Sequence, residues 1–105
     1  MRLLSDELLK DLPSRKEVSL NPQSEIYLHF HLYNPLGPGE WFVIAKDYVE
    51  DDVDLIVLEM LDVASFMKFS LKHISQFKFP CGERIKRDKF FMGMTLGEFG
   101  LRLAD

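Results

Sequence analysis

Apolar and polar residues alternate from Glu25 to Tyr33, with Ile26, Leu28, Phe30 and Leu32 on one side and Tyr27, His29, His31 and Tyr33 on the other. A period of two predicts a half-buried strand. Asn34 to Gly39 holds two Pro and two Gly, which breaks the strand into a loop, and Trp41 to Val49 reads as its hairpin partner. The acidic residues Glu50, Asp51 and Asp52 form the next predicted turn, a solvated one. The apolar run Val53 to Leu61 then predicts a central strand buried on both faces.

Phe66 to Phe69 adds a fourth strand. Ser70 follows as the N-cap of a short helix carrying Leu71, Ile74 and Phe77. Earlier in the chain, Ser5 caps a helix whose first turn holds Asp6 and Glu7 and whose apolar stripe is Leu8, Leu9 and Leu12, ended by Pro13. Pro13 to Ser24 reads as a connection with a short strand around Val18 to Leu20. Ile85 to Met92 is a last strand, and Thr95 with Glu98 forms a capping box that opens a short C-terminal helix. Strands in runs, flanked by two or three short helices, predict an α+β domain with a largely antiparallel sheet of four or five strands.

Composition narrows the setting. With 105 residues, one hydrophobic core and one domain are expected, and 47% apolar residues with nine Phe supply it. The one cysteine, Cys81, is too few for a disulfide framework or a multi-thiolate zinc site, so a reducing cytoplasm is the expected location. Neither a signal peptide nor a membrane span is expected, because the first residues carry acidic side chains and no apolar stretch is long enough. A net charge of −4 disfavours general attraction to polyanions.

Candidate chemistry is sparse. His29 and His31, two apart on a strand, project from one face and can share a divalent metal with a third ligand such as His73; the plainer reading is the polar side of a half-buried strand. Cys81 sits in a Pro-Cys-Gly-Glu loop with no nucleophile signature around it. The acidic turn lacks the alternating ligands and the glycine of a calcium loop. Arg84, Lys86, Arg87 and Lys89 are a basic cluster that can meet phosphates, but alternation would put Lys86 beside Asp88 and Arg87 beside Lys89 on opposite faces. A split, salt-bridged edge strand is therefore expected. The glycines of Pro-Leu-Gly-Pro-Gly match no phosphate-binding fingerprint, and no cofactor is called for.

One resemblance spans the chain. Leu3-Leu4, Glu7-Leu8, Leu12-Pro13, Leu32-Tyr33-Asn34-Pro35, Trp41, Phe69-Ser70-Leu71 with Ile74, Ile85-Lys86-Arg87-Asp88 with Phe90, and Thr95-Leu96 with Glu98 occur in that order. The series resembles the bacterial domain of unknown function family 2958. Lys86 stands where that family usually has Glu, and Val53 to Phe66 departs from its pattern. Members are typically carried on plasmids, integrative elements and phage-related islands, so the resemblance implies an accessory role in mobile DNA. Arg87 and Asp88 are its best-matched polar pair, expected to form a structural ion pair.

Two functional classes remain. The first is a non-enzymatic protein-interaction module, its surface drawn from Tyr27, Tyr33, Glu50, Asp51, Asp52 and Arg87, which by the resemblance would inhibit a host defence or DNA-processing enzyme. The second is a small metal-dependent enzyme or metal-binding module built on His29 and His31. Direct nucleic-acid binding through Arg84, Arg87 and Lys89 ranks behind both. Homodimerisation through an edge strand stays open.

Overall fold

The computed structural model describes residues 3–104, and the side chains of residues 3–100. Its centre is a five-stranded antiparallel sheet, formed by β2 (Phe30–Tyr33), β3 (Glu40–Val49), β4 (Asp52–Met60), β5 (Ala64–Ser70) and β6 (Lys86–Arg87). The order across the sheet is β5-β4-β3-β2-β6. A separate antiparallel ribbon pairs β1 (Tyr27–Leu28) with β7 (Met94–Thr95). The helices are α1 (Asp6–Leu9), α2 (Arg15–Ser19), α3 (Leu71–Gln76) and α4 (Leu96–Ala104). This is the expected α+β class, and no helix among the described residues is long and apolar enough to cross a membrane.

The β3-β4 hairpin is the spine. Its ladder runs from Val49 opposite Asp52 to Glu40 opposite Met60. The turn between them puts Asp51 at φ 61°, in the left-handed region that short polar residues tolerate. Val53, Leu55 and Val57 point to one face, where they join Leu4, Leu9, Leu12, Leu71 and Ile74 from the chain around α1 and α3. Ile56 and Leu58 point to the other, under Val18 of α2 and Leu96 and Phe99 of α4. Strand β4 is thus buried on both faces. Each fully buried aliphatic side chain there stabilises the fold by about 1.5–3 kcal/mol.

Three elements depart from the sequence reading. Residues around Val18 form helix α2 instead of a strand, because Ser14 and Glu17 close a capping box: Ser14 Oγ accepts from the Glu17 amide at 3.2 Å, and Glu17 Oε1 accepts from the Ser14 amide at 3.1 Å. The strand predicted over Ile85 to Met92 shrinks to Lys86 and Arg87, since the chain turns just after Asp88, whose amide still donates to the His31 carbonyl at 2.9 Å.

The long alternation from Glu25 to Tyr33 is broken at His29. Leu28 packs in the core on the α4 side, whereas Phe30 and Leu32 pack on the α1 side, so the even-numbered residues do not share one face. A bulge in β3 lies opposite, between Val43 and Ala45, and it places Ile44 and Ala45 consecutively in the same core.

Candidate interaction site

Strand β5 closes one side of the sheet. It pairs with β4 from Asp54 opposite Ser70 to Met60 opposite Ala64, and among the described residues its other side is unpaired. Seven residues make it a long edge, and its middle is apolar: Phe66 is 45% exposed and Met67 40%. Lys68 is the one charge on the strand, and it leans back to Asp54 at 3.9 Å. Edge strands in monomeric proteins are normally short, charged or covered. This one is long and, among the described residues, uncovered, and Lys68 is its one guard.

A groove of about 430 Å³ runs beside it. Its floor is Ile44 and Ile56, Phe66 stands on the β5 side, and Val18 of α2 faces it. Arg15 and Lys68 stand at its margin, and no carboxylate among the described residues lines it. The capping box that makes α2 helical is therefore what supplies the second wall. An extended segment added to β5 would bond through the free main chain and place every second side chain into this groove.

A second groove, of about 380 Å³, lies on the opposite face under α3, walled by Trp41, Phe69, Phe77 and Phe79. Phe77 and Phe79 meet edge to face at 5.1 Å. Its polar groups are largely committed. Trp41 Nε1 donates to Glu59 Oε2 at 2.9 Å, and the Asn34 side chain bonds the Pro38 carbonyl at 3.1 Å and the Leu36 amide at 2.9 Å.

The surface drawn from the sequence does not assemble into one patch. Glu50 and Asp51 are exposed at the β3-β4 turn, but Asp52 is tied into the fold: it accepts from the Ser70 hydroxyl, from the Val53 amide at 2.7 Å and from the Lys72 amide at 3.1 Å. The Ser70 hydroxyl is the main reason its carboxyl titrates below the ordinary range, with the Val53 amide next. Tyr33 and Arg87 lie at the opposite end of the ten-residue β3, about 30 Å away along the strand. Tyr27 packs edge to face on His29 at 4.8 Å and lies close under Gly93, where any Cβ would come within 2.5 Å of the Tyr27 hydroxyl.

The histidines separate as well. His29 is half buried beside Tyr27, and burial is the main cause holding its pKa below the ordinary value. His31 stacks on Phe42, with centroids 4.7 Å apart and planes 11° from parallel. Its Nδ1 lies 3.1 Å from Asp88 Oδ2 and its Nε2 2.9 Å from Glu40 Oε1. A neutral imidazole donates to one of these carboxylates; only the imidazolium donates to both. Asp88 consequently binds His31 and not Arg87, and this bond is the largest cause of its lowered pKa. His73 belongs to α3 and lines the aromatic groove. Among the described residues no three His, Cys, Asp or Glu side chains converge to hold a metal ion. Cys81 is exposed and free.

No family model, no curated protein and no solved structure matches the chain. The β5 edge was invisible to residue-by-residue reading, because Phe66 to Phe69 looks the same in a central strand as in an edge strand. Strand order alone makes it an edge.

Proposed function

We propose that this chain is a non-enzymatic protein-interaction module that receives an extended segment of a partner protein along β5. The observation that carries the reading is the unpaired, seven-residue, apolar edge with a groove beside it. Arg15 and Lys68 at the groove margin favour a segment that alternates apolar side chains with carboxylates. The proposal extends to a partner among host defence or DNA-processing enzymes, which such binding would inhibit.

The test is selection from a displayed library of octapeptides alternating apolar and acidic residues, followed by calorimetry on the wild-type protein and on Phe66→Lys. Phe66 is 45% exposed, so the variant is expected to fold. Selected peptides should lose at least about tenfold in affinity on Phe66→Lys, the loss expected when an apolar anchor gives way to a charge. Peptides that bind both proteins equally, or no selection at all, would contradict the reading. Concentration-dependent dimerisation abolished by Phe66→Lys would replace the partner segment with a second copy of the chain.

A further inference from the structure

The opposite edge of the sheet has a different character. β6 contributes two residues, Lys86 and Arg87, paired with Tyr33 and Leu32. Because the strand stops there, the alternation that would have split the basic cluster never continues through Lys89. Arg84, Lys86, Arg87 and Lys89 instead line a single cavity of about 650 Å³. No carboxylate among the described residues lines it.

Two acidic residues sit close in sequence, and the structure accounts for both. Asp88, between Arg87 and Lys89, is drawn off by His31 on one oxygen and by the Phe90 amide, at 3.0 Å, on the other. Among the described residues Glu83 meets only Lys86, at 3.6 Å, where both side chains are about half exposed. Four cations thus face one partial counter-charge. The cavity back wall is buried and firm: Ile85 is 8% exposed and Ser75 6%. Ser75 is itself pinned, its hydroxyl accepting from the Leu3 amide at 3.0 Å and its carbonyl from Arg84 Nη1 at 3.0 Å. The Arg84 bond fixes the guanidinium at the wall, with its other donors free to meet a ligand. A concave cluster of one sign against a poorly polarisable wall focuses the field on whatever enters.

From this arrangement we infer that the cavity lined by Arg84, Lys86, Arg87 and Lys89 binds a small ligand carrying at least two linked phosphate groups. A single phosphate carries about −1.5 to −2 charges and leaves part of the cluster unmatched. A diphosphate matches it and reaches two forks of donors at once. A long nucleic-acid strand is disfavoured, because the chain as a whole carries −4 and repels a polyanion beyond the cavity. The site lies at the sheet edge remote from β5 and is independent of the partner proposed there.

The test is NMR titration of the full chain at low salt with inorganic pyrophosphate, orthophosphate and a short oligothymidylate. Pyrophosphate should shift the amides of residues 84 to 89 and bind about tenfold more tightly than orthophosphate, with affinity falling as salt is added. Arg87→Gln with Lys89→Gln should abolish the shifts. Lys89→Gln alone, at an exposed position, should weaken binding about threefold to tenfold while leaving the amide spectrum folded. Absence of shifts at residues 84 to 89 with pyrophosphate, or tighter binding of oligothymidylate than of pyrophosphate, would overturn the inference.

Discussion

The two edges of the sheet meet the same physical problem in opposite ways. At β6 the edge is two residues long, carries Lys86 and Arg87, and bends away at once, so little main chain is offered and what is offered is charged. At β5 the edge is seven residues long, with Phe66 and Met67 exposed and one lysine. Length and charge both discourage strand addition at β6, whereas at β5 one lysine, leaning back to Asp54, stands against seven residues of edge. The difference teaches that an edge is read by what it leaves unsatisfied: main-chain donors and apolar surface at β5, and positive charge at β6. The partners that satisfy them belong to different chemical classes.

The largest expected effect removes the distinction altogether. Leu55 is fully buried in β4, between the two edges. Leu55→Ala should cost about 2–5 kcal/mol, read from the midpoint of denaturant unfolding, and both edges should lose binding together near the transition. Loss at one edge with the other intact would show that the edges do not depend on the common sheet.

His31→Phe is sharper. A phenyl ring preserves the stack on Phe42 but removes both contacts to carboxylates, which frees Asp88 to turn toward Arg87 and Lys89. Pyrophosphate affinity at β6 should fall several-fold while peptide binding at β5 stays unchanged. Equal affinity in variant and wild type would mean that Asp88 does not need His31 to be held away from the cavity.

Acid should weaken the fold in two stages. Asp52, Asp88 and Glu17 have pKa values lowered in the folded chain by side-chain and backbone hydrogen bonds, so the unfolded chain takes up more protons as pH falls through the carboxylate range, below about 4, and the stability present above that range is lost. His29 is lowered too, chiefly by burial, so its contribution is present above about pH 6.5 and lost as pH falls toward its folded value. Thermal unfolding followed across pH should show both limbs, and His29→Gln should erase the upper one. A stability maximum below pH 6 would contradict the assignment.

The smallest effect concerns Glu83. Its contact with Lys86 is an exposed pair, so Glu83→Gln should change stability by no more than about 0.5 kcal/mol. Pyrophosphate binding should tighten slightly, since the one partial counter-charge is gone.

Much of this architecture was legible along the chain, and the exceptions have physical causes. The β2-β3 hairpin, the turn after β3, the doubly buried β4 and the Ser70 and Thr95 caps all rest on local signals of period, turn composition and three-residue spacing. Helix α2 carried such a signal too, Ser14 with Glu17, but Val18 is its one residue packed against the core, so no apolar stripe marked it. The shortening of β6 comes from a turn just past Asp88, closed by the Phe91 amide on the Asp88 carbonyl, which the period along the strand does not signal. The flip at His29 lies beside a bulge in another strand, which no local period signals. Both sites follow from non-local facts, the strand order that leaves β5 unpaired and the turn that gathers four cations around one cavity.

The most direct measurement is amide hydrogen exchange at residues 64 to 70, by NMR, with and without a selected octapeptide. Strand addition at β5 predicts that alternate amides of Ala64 to Ser70 become protected, those whose N–H groups point away from β4, while exchange at residues 84 to 89 stays as it was. A peptide that binds without slowing any amide of β5 would contradict the claim that this edge receives a strand.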